Sequence, residues 1–193
     1  MPPVDPIIRE ARPEDIGELM SLVRCCVQGM REAGIDQWDD VYPDERTIRA
    51  DVVAETAHVY LDADGVAGMV VLNEQQDPTY VAVPWQYVGR VGVMHRLMVR
   101  PAQEGRGVGR ALLRFAEQRA MEVGYDCIRL DAFPKNPRAI RLYKRAGYRW
   151  AGQVELRKGM FDCFEKDLRM ANNAMQRTRD KIGPYGKSKV ASR

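Results

Sequence analysis

Between an apolar run, Val93 to Val99, and an amphipathic stretch lies Gln103-Glu104-Gly105-Arg106-Gly107-Val108-Gly109-Arg110, whose glycines at every second place suit an anion. Glycine turns the backbone without a Cβ penalty, successive N–H groups can then point at one spot, and a helix N-terminus adds partial positive charge there. A phosphate or pyrophosphate fits such a cradle. The spacing excludes a G-x-G-x-x-G dinucleotide turn, which needs glycine where Arg110 stands, and a P-loop, which needs Gly-Lys followed by Ser or Thr. A second string, Asn136-Pro137-Arg138-Ala139-Ile140-Arg141-Leu142-Tyr143, continues to Gly147-Tyr148. Asn136 suits an N-cap, Pro137 a first helical position and Gly147 a C-cap. That helix chemistry leaves Tyr143 unaccounted for. Tyr143 stands two helical turns after Asn136 and therefore shares its face.

These residues need elements to hold them. Val108, Leu112, Phe115 and Arg119 recur at three- and four-residue spacing and predict a helix that Gly124 ends. Cys127 to Ala132 alternates like a half-buried strand. Upstream, Ile7 to Glu10 reads as a strand. Arg12-Pro13-Glu14-Asp15 opens a helix with Ile16, Leu19, Met20, Val23, Val27 and Met30 on one face as far as Gly34, and a second helix starts at Pro43. His58 to Leu61 and Val66 to Leu72 form a hairpin turning at Asp64-Gly65. Tyr148 to Gln153 and Met160 to Leu168 supply two last strands. The order is strand, two helices, three strands, helix, strand, helix, two strands.

Strand, Pro101, glycine turn and helix resemble the acetyl-CoA motif of the GNAT acetyltransferase superfamily, Arg/Gln-x-x-Gly-x-Gly/Ala. There is one departure: counted back from Gly107 and Gly109, the Arg/Gln position holds Glu104, with Gln103 one place early. A carboxylate there is unfavourable to a pyrophosphate if it points inward. Residues 136–148 match the family's Asn-x-x-Ala-x-x-x-Tyr-x-x-x-Gly-Tyr/Phe pattern at each fixed place. The resemblance spans about residues 7 to 169. It implies an α/β fold with a mixed, mostly antiparallel sheet of about seven strands flanked by helices, and acetyl-CoA as cosubstrate.

The same resemblance assigns roles. The backbone of Leu97, Met98 and Val99 would pair with the pantetheine arm like an added strand and bond the acetyl carbonyl, while Gly105, Arg106, Gly107, Val108, Gly109 and Arg110 hold the pyrophosphate. Asn136 and Tyr143 would lie along the arm, and Tyr143 takes the place that gives a proton to the departing thiolate. For the base that deprotonates the amine, His95 comes first: it stands four residues before Val99, and alternation puts His95, Leu97 and Val99 on one face. Asp131, five residues before Asn136, is the rival. The acceptor pocket falls on a cluster after the first helix, Asp36, Trp38, Asp39, Asp40, Tyr42, Asp44 and Glu45, since carboxylates beside aromatics suit a cationic amine. A solvated loop leading into a helix accounts for the same residues equally well. Trp85 and Tyr87 would form another wall.

Composition agrees with one small domain: 193 residues, 45% of them hydrophobic, and no apolar run of membrane-spanning length. The N-terminus lacks a charged region followed by an apolar one, which predicts a cytoplasmic protein. Cys25, Cys26, Cys127 and Cys163 have no zinc spacing and read as reduced, mostly buried thiols, with no metal. Net charge is +3, but residues 171–193 carry six Lys or Arg against one Asp, leaving the rest nearly neutral. The chain therefore divides into a domain at 1–170 and a basic, flexible tail at 171–193. The expected activity is transfer of acetyl from acetyl-CoA to a primary amine of a small molecule by direct attack. The expected partner is that amine, not a membrane and not nucleic acid; a homodimer is left open. Two other classes stay open, a protein- or RNA-associated acetyltransferase guided by the tail and a non-catalytic acyl-CoA sensor.

Overall fold

The computed structural model describes residues 7–169; the basic segment 171–193 lies outside them. Seven strands form one sheet in the order β1 (Ile7–Glu10), β2 (Ala57–Asp62), β3 (Gly65–Asn73), β4 (Val91–Val99), β5 (Cys127–Ala132), β7 (Gly159–Asp167), β6 (Arg149–Leu156). Every neighbouring pair is antiparallel except β4 and β5. Among the described residues the α-helices that pack on the sheet are α1 (Ile16–Glu32), α2 (Glu45–Val53), α3 (Val108–Val123) and α4 (Pro137–Arg145).

Alternation along the strands divides the core into two layers. Val59, Met69, Val71 and Met98 meet Leu19, Leu22, Ile48 and Val52 of α1 and α2. On the opposite face Val70, Leu72, Met94, Ile128 and Leu130 meet Leu112, Leu113 and Ala116 of α3 and Tyr143 of α4. A smaller cluster of Tyr80, Val93, Phe133, Phe161 and Cys163 seats the segment before β4 on the first of these faces. Helix starts follow local chemistry. A 3₁₀ turn, Pro13–Asp15, leads into α1. The second helix starts two residues later than its proline indicates, because Asp44 caps it: its carboxylate accepts the Thr47 N–H at 2.9 Å and the Thr47 hydroxyl at 2.6 Å.

Two irregularities shape the centre of the sheet. First, β4 and β5 pair only at Val91 with Cys127, Gly92 with Ile128 and Val93 with Arg129; beyond these the strands diverge, β4 staying with β3 and β5 with β7. Second, β4 bulges. Val71 lies opposite His95 and Met69 opposite Met98, so two residues of β3 span three of β4, and Arg96 sits at φ +47° within the bulge.

Candidate active site

The bulge corrects the strand alternation expected for the base. A regular strand would put His95, Leu97 and Val99 together; the extra residue flips the order. Leu97 and Val99 pack on the α3 and α4 face, whereas His95, opposite Val71, lies on the α1 and α2 face with Met98. Asp131 is on that same face: it pairs across from Cys163 and accepts the Tyr80 hydroxyl proton at 2.6 Å. Tyr143 is on the other side, its ring at 5.8 Å from Tyr148 and 6.3 Å from Phe164. The divergence of β4 from β5 therefore opens a gap with Tyr143 on one face of the sheet and His95 and Asp131 on the other.

The electrostatics differ on the two sides. Burial, and then the Asp131 charge, raise the Tyr143 pKa above the ordinary phenol value, so it is held as a neutral donor. Its hydroxyl has no hydrogen-bond partner among the described residues. Burial also raises the Asp131 carboxyl, against the Tyr80 bond that lowers it. His95 goes the other way: burial and then Arg96 push its pKa down to about 4, so the imidazole is neutral at physiological pH.

The glycine turn leads into α3 through two left-handed residues. Gly105 and Gly107 have φ of +78° and +91°, which Cβ-bearing residues rarely adopt. Gly107 caps α3 with no side-chain hydrogen bond, and the first intrahelical bond is Ala111 N–H to the Gly107 carbonyl. The N–H groups of Gly107, Val108, Gly109 and Arg110 are thus free of intrahelical partners and converge with the positive end of the helix dipole. Gly109 is ordinary helix; a Cβ there would meet Val99 at 3.4 Å and Leu142 at 3.7 Å, at the wall between β4 and α4. Glu104, the departure from the motif, is paired with Arg138 of α4. Asn136 caps α4 by accepting the Ala139 N–H at 3.2 Å and donates to Gln37 at 3.0 Å. With the edge of β4 that faces β5 unpaired at Leu97, Met98 and Val99, these features fit a long thin arm that leads to a pyrophosphate.

The carboxylates of the cluster after the first helix already have partners within the fold. Asp39 accepts two hydrogen bonds from Arg157, at 2.8 and 2.9 Å, and pairs with Lys158, which also reaches Asp36 at 2.8 Å. Asp40 pairs with Arg31 and Glu45 with Arg49. These ion pairs fasten the loop after α1 to the β6–β7 turn and to α1, and Glu45 to its own helix. Trp38 packs under the α1 and α2 core. Trp85 donates its indole N–H to the Tyr80 carbonyl at 2.8 Å, with Arg129 4.4 Å above its ring, and Tyr87 receives a bond from Arg149.

Tyr42 has another use. Its hydroxyl accepts from Arg96 at 2.8 Å, and the Arg96 guanidinium makes a two-pronged bond to Asp51 of α2, at 2.6 and 2.7 Å, with both side chains only 9% exposed. This clamp ties the bulge to α2 and to the loop before it. Nothing in the sequence marks Asp51, one residue inside a nine-residue amphipathic helix, as its anchor. Asn73, which bonds His95, is likewise unmarked. Among the described residues no group of His, Cys, Asp or Glu is placed to hold a metal, and no helix is long and apolar enough to cross a membrane.

Known proteins resemble this chain in sequence and in fold. The chain is 26% identical over 147 residues to the thialysine N-epsilon-acetyltransferase of Bos taurus, covering 73% of this chain and 82% of that one. Among solved structures, a GNAT-family acetyltransferase from Streptococcus agalactiae superposes with a TM-score of 0.75 at 24% identity, covering 84% of this chain and 95% of the other. The YncA protein of Salmonella typhimurium, solved with its cofactor acetyl-CoA, superposes at 0.66 with 18% identity, covering 86% and 95%. The model of the acetyltransferase (GNAT) family matches residues 21–148, two motifs and the diverging strand pair included, and the chain belongs to that family of acetyl-CoA-dependent acyltransferases.

Proposed function

We propose that this chain acetylates a primary amine of a small molecule, by direct attack of the amine and with no acyl-enzyme. The observation that carries this is the gap between β4 and β5, with a neutral phenol on one face and a neutral imidazole and a carboxyl on the other. Acetyl-CoA supplies an activated acyl group on a good leaving thiolate. Leu97 to Val99 would bind its arm, Gly105 to Arg110 its pyrophosphate, and the bulge amides would carry the negative charge that develops on the acyl oxygen. His95 would take the proton of the incoming amine, directly or through water, with Asp131 as the rival base. Tyr143 would give its proton to the thiolate from the opposite face.

Direct attack is supported by the buried cysteines. Burial pushes Cys26 and Cys163 up to about 12, which leaves them as thiols rather than nucleophilic thiolates. A small acceptor is supported by the thialysine relative, whose named substrate is an amino acid side chain. Pairing of Glu104 with Arg138 takes away the feature that favoured a non-catalytic sensor.

The test is thiol release from acetyl-CoA across a panel of primary amines, with initial rates measured while both substrates vary. At least one free amine should turn over with intersecting rate patterns. Parallel patterns would overturn direct attack. Turnover confined to peptides would overturn the small acceptor, and ligand-induced stabilisation without any turnover would leave a sensor.

A further inference from the structure

His95 Nε2 lies 3.1 Å from the Asn73 side-chain oxygen and 3.0 Å from the Gln75 carbonyl. Both partners are acceptors. A backbone carbonyl has no proton to give, and the Asn73 oxygen is identified as oxygen because it also accepts the Gln75 N–H at 2.9 Å. The ring nitrogen between them must therefore donate. A neutral imidazole carries one N–H, so Nδ1 is left with the lone pair. Nδ1 of His95 has no hydrogen-bond partner among the described residues, and it is not sealed from solvent as Nδ1 of His58 is.

On this geometry, and resting on the base role given above to His95, we propose that Asn73 and the Gln75 carbonyl are positioning groups that lock His95 as the Nε2–H tautomer and present Nδ1 as its basic atom. The lock is built from the end of β3 and the residues just after it: Asn73 ends β3, 9% exposed and directly opposite Val93, two residues before His95 on the same face. The acceptors are neutral, so they orient the ring without charging it. The charged groups the ring feels are Arg96, which disfavours the imidazolium, and Asp77, which favours it. An acceptor that is itself ionised would alter that balance; a neutral one keeps Nδ1 unprotonated and ready for a proton.

The test is ¹⁵N NMR of the imidazole in the whole protein, alongside pH–rate profiles. The unmodified protein should show a protonated Nε2 and an unprotonated Nδ1 at neutral pH. Asn73→Leu removes one acceptor and should mix the tautomers and lower kcat/KM for the amine about tenfold, with the KM for acetyl-CoA little changed. Asn73→Asp keeps the acceptor geometry but adds a charge, and should move the His95 titration upward by about one pH unit or more. A protonated Nδ1 in the unmodified protein would overturn the proposal. So would Asn73→Leu and Asn73→Asp leaving both the NMR signals and the pH profile unmoved. His95→Gln separates the two roles: full activity in that variant beside a locked tautomer that Asn73→Leu releases retains the positioning and removes the base.

Discussion

Tyr143 and Arg96 are two buried side chains, one without a hydrogen-bond partner among the described residues and one fully paired. The Tyr143 hydroxyl is the atom proposed to protonate the thiolate, and Tyr143→Phe removes it while keeping the ring against Tyr148 and Phe164. A positioned general acid contributes on the order of 10² to 10⁴ in rate, so kcat should fall within that range while the KM for acetyl-CoA and the melting temperature barely move. Unchanged kcat, under conditions where chemistry limits the rate, would make the phenol a packing group. Arg96 is tested by its partner. Asp51→Ala leaves a buried guanidinium with only Tyr42, and breaking a buried pair in this way costs about 3–5 kcal/mol, readable as a lower urea midpoint. The double variant Asp51→Leu with Arg96→Met should recover much of that stability without recovering kcat; recovery of both would show that the clamp has no part in presenting the bulge. Tyr143 was legible from its motif spacing. The Arg96–Asp51 bond was not, because it joins residues 45 positions apart whose only common property is the place they occupy in the fold.

At the scale of elements, the glycine turn and α3 are the part most completely encoded in local sequence. Gly105 and Gly107 are needed for the left-handed backbone, so substituting them would confuse strain with ligand loss. Gly109 is free of that constraint. Gly109→Ala adds a methyl in ordinary contact with Val99 and removes a helix-disfavouring residue, so the melting temperature should hold or rise by a few degrees. If the bare Cα admits the arm of acetyl-CoA between β4 and α4, the KM for acetyl-CoA should nevertheless rise severalfold; an unchanged KM would place the arm elsewhere. The bulge in β4 is an element-scale feature that alternation could not reveal. Val93 to Val99 has the composition of an ordinary strand, and the inserted residue shows only when its register against β3 is known.

For the whole molecule, the chain has two histidines and the fold keeps both neutral. His58 is 8% exposed with its ring 4.9 Å from Phe115, and burial lowers its pKa; burial, aided by Arg96, lowers His95 to about 4. A depressed folded-state value means that the unfolded chain binds the proton first. Stability from these groups is present above the unfolded histidine value near 6.5 and is lost as pH falls below it toward the folded values. Between pH 7 and pH 5, His95 alone should remove on the order of 2 kcal/mol, seen in urea midpoints. His58→Gln with His95→Gln should flatten that slope; an equal slope in the double variant would place the titration elsewhere. By itself the sequence determined the order of elements, the glycine turn at the head of α3 and, through its two motifs, the cosubstrate, because glycine conformations, caps and hydrophobic periods act over a few residues. Only the tertiary structure decided which face His95 takes, that Asp36 and Asp39 pair with Arg157 and Lys158, and that Asn73 meets the imidazole. Those outcomes depend on strand register and on pairings across scores of residues, and no local preference carries that information.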